Sequence, residues 1–284
     1  VLRKFMNISG SEGLVAAGNI FMGMTESPVL IKNYVPTMNR SVIFLVMVSG
    51  MGTIAGSVMG TYIGMLGGTD PAAKVLFATH LLSASVMAVP GSIVLAKMLC
   101  PQTEEATDHV AISGKEKENS NILDAISSGT VTGVKLMTNI AAMLLVFISL
   151  VALANYITEG VIGRYTGLND WIVKITDGKA QGLTFQFILG VITSPFMWLI
   201  GVPSQDIMLV GSLLGQKTIL NEFVAYFQLQ QWKDAGLFMY EKSILMSTYI
   251  LCGFANISSI GILLGGLGVL APEKRGLISR IGLP

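Results

Sequence analysis

Long stretches of apolar residues set the strongest limit on how this chain can fold. A helix that crosses the hydrocarbon core of a bilayer needs about 20 consecutive, mostly apolar residues. Five long stretches of this kind are separated by loops that carry most of the charge: residues 41–66, 72–99, 140–157, 183–202 and 243–270. Only 12% of the chain is charged, whereas a soluble domain has about 25%. The sequence therefore predicts an all-α, polytopic membrane protein.

The charge and the reactive residues argue against several functional classes. The chain has 18 basic and 17 acidic residues, so we expect no nucleic-acid partner. Cys100 and Cys252 belong to no CxxC pattern, and His80 and His109 have no ligand-like spacing, so we expect no resident cofactor. The sequence contains neither HExxH nor GxSxG, which argues against an intramembrane enzyme.

Some boundaries of the apolar stretches can be predicted and others stay open. Asp70 followed by Pro71 predicts a helix N-terminus, because aspartate accepts hydrogen bonds from free amides and proline suits the first turn. Pro195 would break a straight helix, so it stays open whether residues 183–202 span the membrane. Residues 101–135 are the extended polar stretch and predict an aqueous connection. Thinly spread Lys and Arg leave the orientation in the membrane undecided.

Two further segments, residues 13–34 and 207–229, are too short and too interrupted to span. Each has two apolar arms joined by a tip that contains a carboxylate, at residues 23–26 and 217–222. Irregular backbone is tolerated at membrane depth only where it is buried in protein or lines a cavity. We therefore predict two re-entrant helical hairpins.

The hairpins belong to an internal repeat. Glu26 matches Glu222, and residues 50–56 match residues 253–259 in the glycine-rich stretch that follows each hairpin. A hairpin followed by a broken helix, present twice, is typical of transporters whose site lies near the bilayer midplane. A glutamate in the hydrocarbon region costs at least roughly 2.5 kcal/mol, so each glutamate needs a partner. Sugar hydroxyls suit two carboxylates that face one cavity.

Three motifs carry a resemblance to a known family: GNIFMGMTESP at residues 18–28, GQK and NEFVAY within residues 215–226, and CGFAN at residues 252–256. The chain resembles the concentrative nucleoside transporters over nearly its whole length. The resemblance implies a multi-pass transporter of the plasma membrane, a homotrimer in which a mobile domain carries nucleoside and cation past a fixed scaffold in an elevator-type motion. Family members have further spans upstream of the first hairpin, and we expect these to be absent from this chain.

We predict six segments along the chain. They are the first hairpin (1–36), a broken transmembrane helix with the span after it (37–99), a polar connection (100–138), a scaffold-type span and connection (139–182), the second repeat with its hairpin (183–231), and a broken transmembrane helix with the C-terminal end (232–284).

Carried over by motif, the resemblance implies two sites. The nucleoside would be bound by Met24, Thr25, Glu26, Val58, Glu222, Phe254, Asn256 and Ser259. Sodium would be held by the side chains of Asn19 and Thr53 and the carbonyls of Met22 and Ile54, all hard oxygen donors.

The resemblance leaves an alternative for the preferred nucleoside and another for the coupling ion. Many family members have glutamine where this chain has Met24, and a thioether packs against a base instead of pairing with its polar edge. The resemblance therefore implies a purine nucleoside preference, with pyrimidines as the alternative. The family also contains proton-coupled members, so a proton is the alternative to sodium. A channel is more remote, because two unlike half-sites with closed hairpins suit alternating access better than an open pore.

Overall fold

The computed structural model describes residues 6, 8–24, 26–32, 34–103, 122–176, 178 and 180–282. Throughout these ranges the regular structure is helical, which confirms the predicted all-α class. Thr25, His109 and residues 104–121 of the predicted polar connection lie outside the described residues, whereas residues 122–138 of that connection are helical. The chain divides into two compact units, a large unit of Val1–Val110 with Leu189–Pro284 and a small unit of Ala111–Ile188.

From residue 8 onward, the described residues in the first half of the large unit form four α-helices and two short 3-10 turns. They are α1 (Gly10–Gly18), the turns Ser27–Ile31 and Val35–Thr37, α2 (Arg40–Gly52), α3 (Gly56–Gly67) and α4 (Pro71–Leu99). The helix starts are capped: the side chain of Asn39 accepts from Val42 N, and Asp70 accepts from the amides of Ala72 and Ala73. The N-terminus predicted from Asp70 and Pro71 is thereby confirmed.

Two segments of this half are long and apolar enough to cross a membrane. Arg40–Gly67 has a mean hydropathy of 2.0 and Pro71–Leu99 one of 1.6. The outer face of α4 carries large apolar side chains, with Met87, Met98 and Leu99 exposed by 64%, 70% and 73%. Such a surface is unfavourable in water and is accommodated by lipid.

The first of these segments is not one continuous helix. α2 ends at Gly52 and α3 begins at Gly56, so residues 53–55, the first break, are not helical. α4 packs against both α2 and α3 and joins the two pieces. An ion pair of 2.6 Å between Lys97 of α4 and the buried Glu12 of α1 attaches the first helix to the same group.

Six helices follow from residue 185 onward. They are α8 (Phe185–Leu199), α9 (Ile207–Ile219), α10 (Glu222–Asp234), α11 (Glu241–Leu251), α12 (Ile257–Leu270) and α13 (Arg275–Gly282), with a 3-10 turn at Pro272–Lys274 before the last. The predicted span 243–270 is thus two helices separated by the second break, residues 252–256.

Pro195 does not end its helix, because α8 continues through it to Leu199. Two hydroxyl groups next to Pro195 donate hydrogen bonds to carbonyl oxygens of this region. Thr193 donates to Leu189 O and to Gly211 O of α9, and Ser194 donates to Gly190 O. Neighbouring helices and Ser or Thr side chains are the usual means by which a membrane helix tolerates proline.

Asp206 fixes the start of α11. Its carboxylate is fully buried and accepts from the backbone amides of Met239 and Tyr240 at 3.0 and 3.1 Å. A carboxylate that accepts from amides at a helix start satisfies donors that lack an intrahelical partner. Asp206 thereby connects the start of α9 to the start of α11.

The second break touches the end of α2, next to the first break, through its backbone. Gly253 has φ +116°, and a Cβ on it would lie 2.8 Å from the carbonyl oxygen of Gly52 and 2.9 Å from that of Met51. The neighbouring Phe254 packs against two hydrophobic clusters, one that contains Met24 and Val46 and one that contains Tyr62. The second break therefore lies directly against the end of α2.

The small unit is built on one long helix. It contains α5 (Ile122–Asn155), a π-helical segment (Tyr156–Gly163), α6 (Arg164–Thr166) and α7 (Leu168–Ile175). Asn155 accepts from Phe185 N at 2.7 Å, and Asn169 accepts from Leu183 N at 2.9 Å. These asparagines satisfy backbone groups of the connection that follows α7.

Replacing Gly253 by alanine is expected to destabilise the protein far more than the same change at Gly236. Both glycines have positive φ, but a Cβ at Gly236 meets nothing within 4 Å, whereas one at Gly253 meets two carbonyl oxygens. We expect a loss of about 1 kcal/mol for G236A and more than about 3 kcal/mol for G253A. Thermal unfolding in detergent measures both, and equal losses would contradict the close backbone contact.

Candidate functional site

A buried carboxylate lies at the start of α10. Asn221 accepts from Val224 N through its side chain at 2.9 Å and so caps the helix. Glu222 follows as the first helical residue and is only 5% exposed. This position suits an anion, because the free amides and the dipole of a helix N-terminus stabilise negative charge.

Both oxygens of Glu222 accept hydrogen bonds from outside α10. Oε1 accepts from the Tyr62 hydroxyl at 3.3 Å, and Oε2 accepts from Asn256 Nδ2 at 3.1 Å. Asn256 in turn caps α12, because its Oδ1 accepts from the amide and the hydroxyl of Ser259 at 2.9 and 3.0 Å. We call these four residues the Glu222 network. It brings together Glu222, Asn256 and Ser259, which were predicted to share a site.

Tyr62 is a member of this network that the sequence analysis missed. Its ring stacks on that of Tyr226 with 4.1 Å between centroids, and the Tyr226 hydroxyl donates to Thr248 O at 2.8 Å. Tyr62 lies four residues after Val58, on the same face of α3. That spacing from a predicted site residue is the signal that could have found it.

A second group of buried polar side chains lies where α1 ends, beside the first break. Asn19 donates from Nδ2 to Ser49 Oγ at 2.9 Å and accepts from Ser27 Oγ, and Thr53 Oγ1 donates to Ser49 O at 3.3 Å. We call Asn19, Ser27, Ser49 and Thr53 the Asn19 cluster. A backbone bond of 2.9 Å from Gly56 N to Phe21 O also joins the first break to the segment that follows α1.

The donor chemistry of this region fits a small hard cation. Asn19 and Thr53 are fully buried and offer an amide and a hydroxyl oxygen. Ile54 lies within the first break, and in the part of the chain that the structure describes no backbone amide bonds to its carbonyl. Uncharged oxygen donors of this kind suit an alkali cation better than a transition metal. Met22, the remaining predicted ligand, is half-buried three residues after Asn19.

The other predicted residues differ in their surroundings. Met24 is buried, and a Cβ on Gly50 of α2 would lie 3.0 Å from the Met24 Cβ. Val58 and Phe254 pack in the apolar cluster that contains Tyr62. Glu26 is exposed, and its carboxylate lies against Gly23. The two glutamates therefore have different environments, and the part of Glu26 in a shared site stays a prediction.

Family models identify what kind of protein contains these two groups. A model described as "Na+ dependent nucleoside transporter C-terminus" matches residues 80–284, and one described as "Nucleoside recognition" matches residues 1–69. The chain belongs to the Na+-dependent nucleoside transporter family. This confirms the resemblance found in the sequence. The family consists of integral membrane transporters, not enzymes.

Individual relatives agree with this membership. An uncharacterized transporter of Haemophilus influenzae is 38% identical over 99% of this chain and 63% of its own length. Sodium/nucleoside cotransporter 1 of Sus scrofa is 37% identical over 100% of this chain and 42% of its own length. The chain thus spans less than two thirds of each of these relatives.

Solved structures of CNTnw have the same fold. The structure in an inward-facing substrate-bound state matches with a TM-score of 0.83 at 36% identity, over 99% of this chain and 62% of CNTnw. A variant of CNTnw in an outward-facing state matches with a TM-score of 0.83 at 35% identity, over 99% of this chain and 63% of CNTnw.

Replacing Tyr62 by phenylalanine tests the hydrogen bond to Glu222 while keeping the stacked ring. The bond to a carboxylate is worth about 1.5–3 kcal/mol, and a neutral bond about 1 kcal/mol. We therefore expect Y62F to lower the unfolding free energy more than Y226F, which removes a hydroxyl bonded to a backbone carbonyl. Denaturant unfolding measures both variants. A larger loss for Y226F would contradict the importance of the Glu222 network.

Proposed function

We propose that the chain forms the substrate-binding part of a sodium-coupled nucleoside transporter of the plasma membrane. The observation that carries this proposal is the contact of the second break, at Gly253, with the end of α2 where the first break begins. The uncharged Asn19 cluster lies beside the first break and the Glu222 network beside the second. Interrupted helices leave backbone and side-chain oxygens free for a cation and for a polar substrate.

The Glu222 network supports recognition of the ribose. Ribose hydroxyls can donate to the Glu222 carboxylate and accept from Asn256 Nδ2, so they replace the bonds that these groups make with one another. Ser259 holds Asn256 in place through its amide and hydroxyl. Glu26 and Thr25 of the first tip would complete the polar contacts.

The apolar residues support binding of the base. Met24, Val58 and Phe254 present a thioether, a branched side chain and an aromatic ring, none of which pairs with the polar edge of a base. A larger ring system gains more from such packing. We therefore propose a preference for purine nucleosides over pyrimidine nucleosides.

Sodium would couple to the substrate through the first hairpin tip. The proposed ligands Asn19 and Met22 precede this tip, whereas Thr53 and Ile54 belong to the first break. A cation held between them would fix the tip against α2 and so preorganise Met24 for the base. Each ligand would then raise the affinity for the other. A proton is the alternative coupling ion.

Transport would proceed by alternating access in a multi-pass homotrimer embedded in lipid. The two hairpin-and-break units would act as structural repeats, with re-entrant hairpins formed by residues 13–34 and 207–229. CNTnw has been solved in inward-facing and in outward-facing states, and this supports alternating access by an elevator-type motion in a protein of the same fold.

Uptake into liposomes by the full-length protein tests the proposal. We expect adenosine to accumulate in the presence of a sodium gradient, and uridine to accumulate less. Glu222→Gln should lower adenosine uptake by about tenfold or more, because charged hydrogen bonds to the ribose are lost. Glu241→Gln, at the exposed start of α11, is the matched control and should have no effect. Uptake driven by a pH gradient without sodium would favour proton coupling, and better uptake of uridine would contradict the purine preference.

Replacing Thr53 by valine tests the cation site. Thr53 and Thr79 both donate to a carbonyl one helical turn earlier, but Thr79 is exposed on α4. We expect T53V to raise the sodium concentration for half-maximal uptake by about tenfold or more, since one oxygen ligand is removed. T79V should leave it unchanged. Equal sodium dependence in the two variants would place the cation elsewhere.

A further inference from the structure

A buried lysine lies beside the second break. Lys217 of α9 is only 5% exposed, and its Nζ donates to the carbonyl oxygen of Ile250 at 2.9 Å. Ile250 lies in the last turn of α11, where carbonyl groups lack an intrahelical partner. The ammonium therefore supplies the donor that the interrupted helix needs. A buried ammonium is costly unless a negative charge compensates it.

The buried acid that lies beside the same break is Glu222. Among the residues that the structure describes, the buried charged side chains are Glu12, Asp206, Lys217 and Glu222. Glu12 has its own cation in Lys97, and Asp206 accepts from backbone amides near α11. Lys217 lies in the last turn of α9 and Glu222 at the start of α10, five residues later, and both are bonded beside the second break, Lys217 to Ile250 and Glu222 to Asn256. Tyr62 and Asn256 give Glu222 neutral donors only.

The first break differs from the second in its charge. The Asn19 cluster beside it consists of an amide and three hydroxyl side chains, all buried and all uncharged. Its oxygens can surround a cation that arrives from solution. At the second break, a carbonyl oxygen at the end of the helix already contacts the positively charged group of Lys217.

We propose that Lys217 is the built-in cation of the second break. Its ammonium fulfils there the role that a mobile sodium ion fulfils at the first break, so that one cation accompanies each nucleoside. The ion count rests on the proposed sodium coupling. The charge pairing between Lys217 and Glu222 does not depend on it, and the two parts can be tested separately.

Thermal unfolding of single and double variants tests the charge pairing. Lys217→Met leaves Glu222 uncompensated and should lower the melting temperature by roughly 5 °C or more. Adding Glu222→Gln should recover most of this loss, and Lys217→Arg should remain close to wild type. Lys233→Met is the matched control, because Lys233 donates to Leu66 O near the end of α3. The loss of melting temperature caused by Lys233→Met should add to the loss caused by Glu222→Gln, and the double variant should recover nothing. Additive losses for Lys217→Met and Glu222→Gln would overturn the pairing.

Reversal potentials of the full-length protein in liposomes test the ion count. We expect one charge per nucleoside for the wild type and for Lys233→Met. Lys217→Met should require a second cation, sodium or a proton, and should shift the ratio from one to two. A ratio of one in active Lys217→Met, or of two in the wild type, would overturn the ion count. Wild-type transport that is independent of sodium would overturn the proposed function, while the unfolding series would still decide whether Lys217 pairs with Glu222.

Discussion

Backbone groups at interrupted helices must find partners wherever water is scarce, and this constraint shapes the large unit. At the first break, Gly56 N bonds to Phe21 O. At the second, Asn256 caps α12 and Lys217 bonds to a carbonyl near the end of α11. Phe21 and Lys217 come from other parts of the chain, so the breaks hold the helices together as well as interrupting them. The contact at Gly253 then places the second break against the end of α2, where the first break begins.

The distribution of charge follows from the same constraint. A buried carboxylate is tolerated at the N-terminus of α10 because donors surround it, and the proposed pairing with Lys217 compensates its charge. Among the described residues, the side chains of the Asn19 cluster beside the first break are all uncharged, and we propose that their oxygens hold a cation. The two breaks therefore differ in their chemistry, and this difference supports the proposal of an ion site at the first break and a substrate site at the second.

Much of the fold could be predicted from local patterns. The helical class, the start of α4 at Pro71 and the apolar segments 41–66 and 72–99 follow from composition and capping, which depend on residues close in sequence. The effect of Pro195 could not be predicted from the sequence. α8 continues through this proline, and one of the neighbouring hydroxyl groups donates a hydrogen bond to a carbonyl oxygen of α9, which is a tertiary contact. The motifs suggested that Glu222 and Asn256 share a site. The hydrogen bond from Tyr62 to Glu222 depends instead on how α3 packs against α10.

The sequence by itself determined that the chain is apolar and helical, that its helices are interrupted by small and polar residues, and to which family it belongs. Motifs and hydrophobic runs consist of residues close together in the sequence, so they can be recognised without a structure. The tertiary structure alone decided which partners satisfy the interrupted backbone, that Tyr62 bonds to Glu222, that Lys217 bonds to the end of α11, and that Glu26 is exposed. These outcomes depend on contacts between residues up to 160 positions apart, and such contacts are set by packing, not by neighbours in the chain.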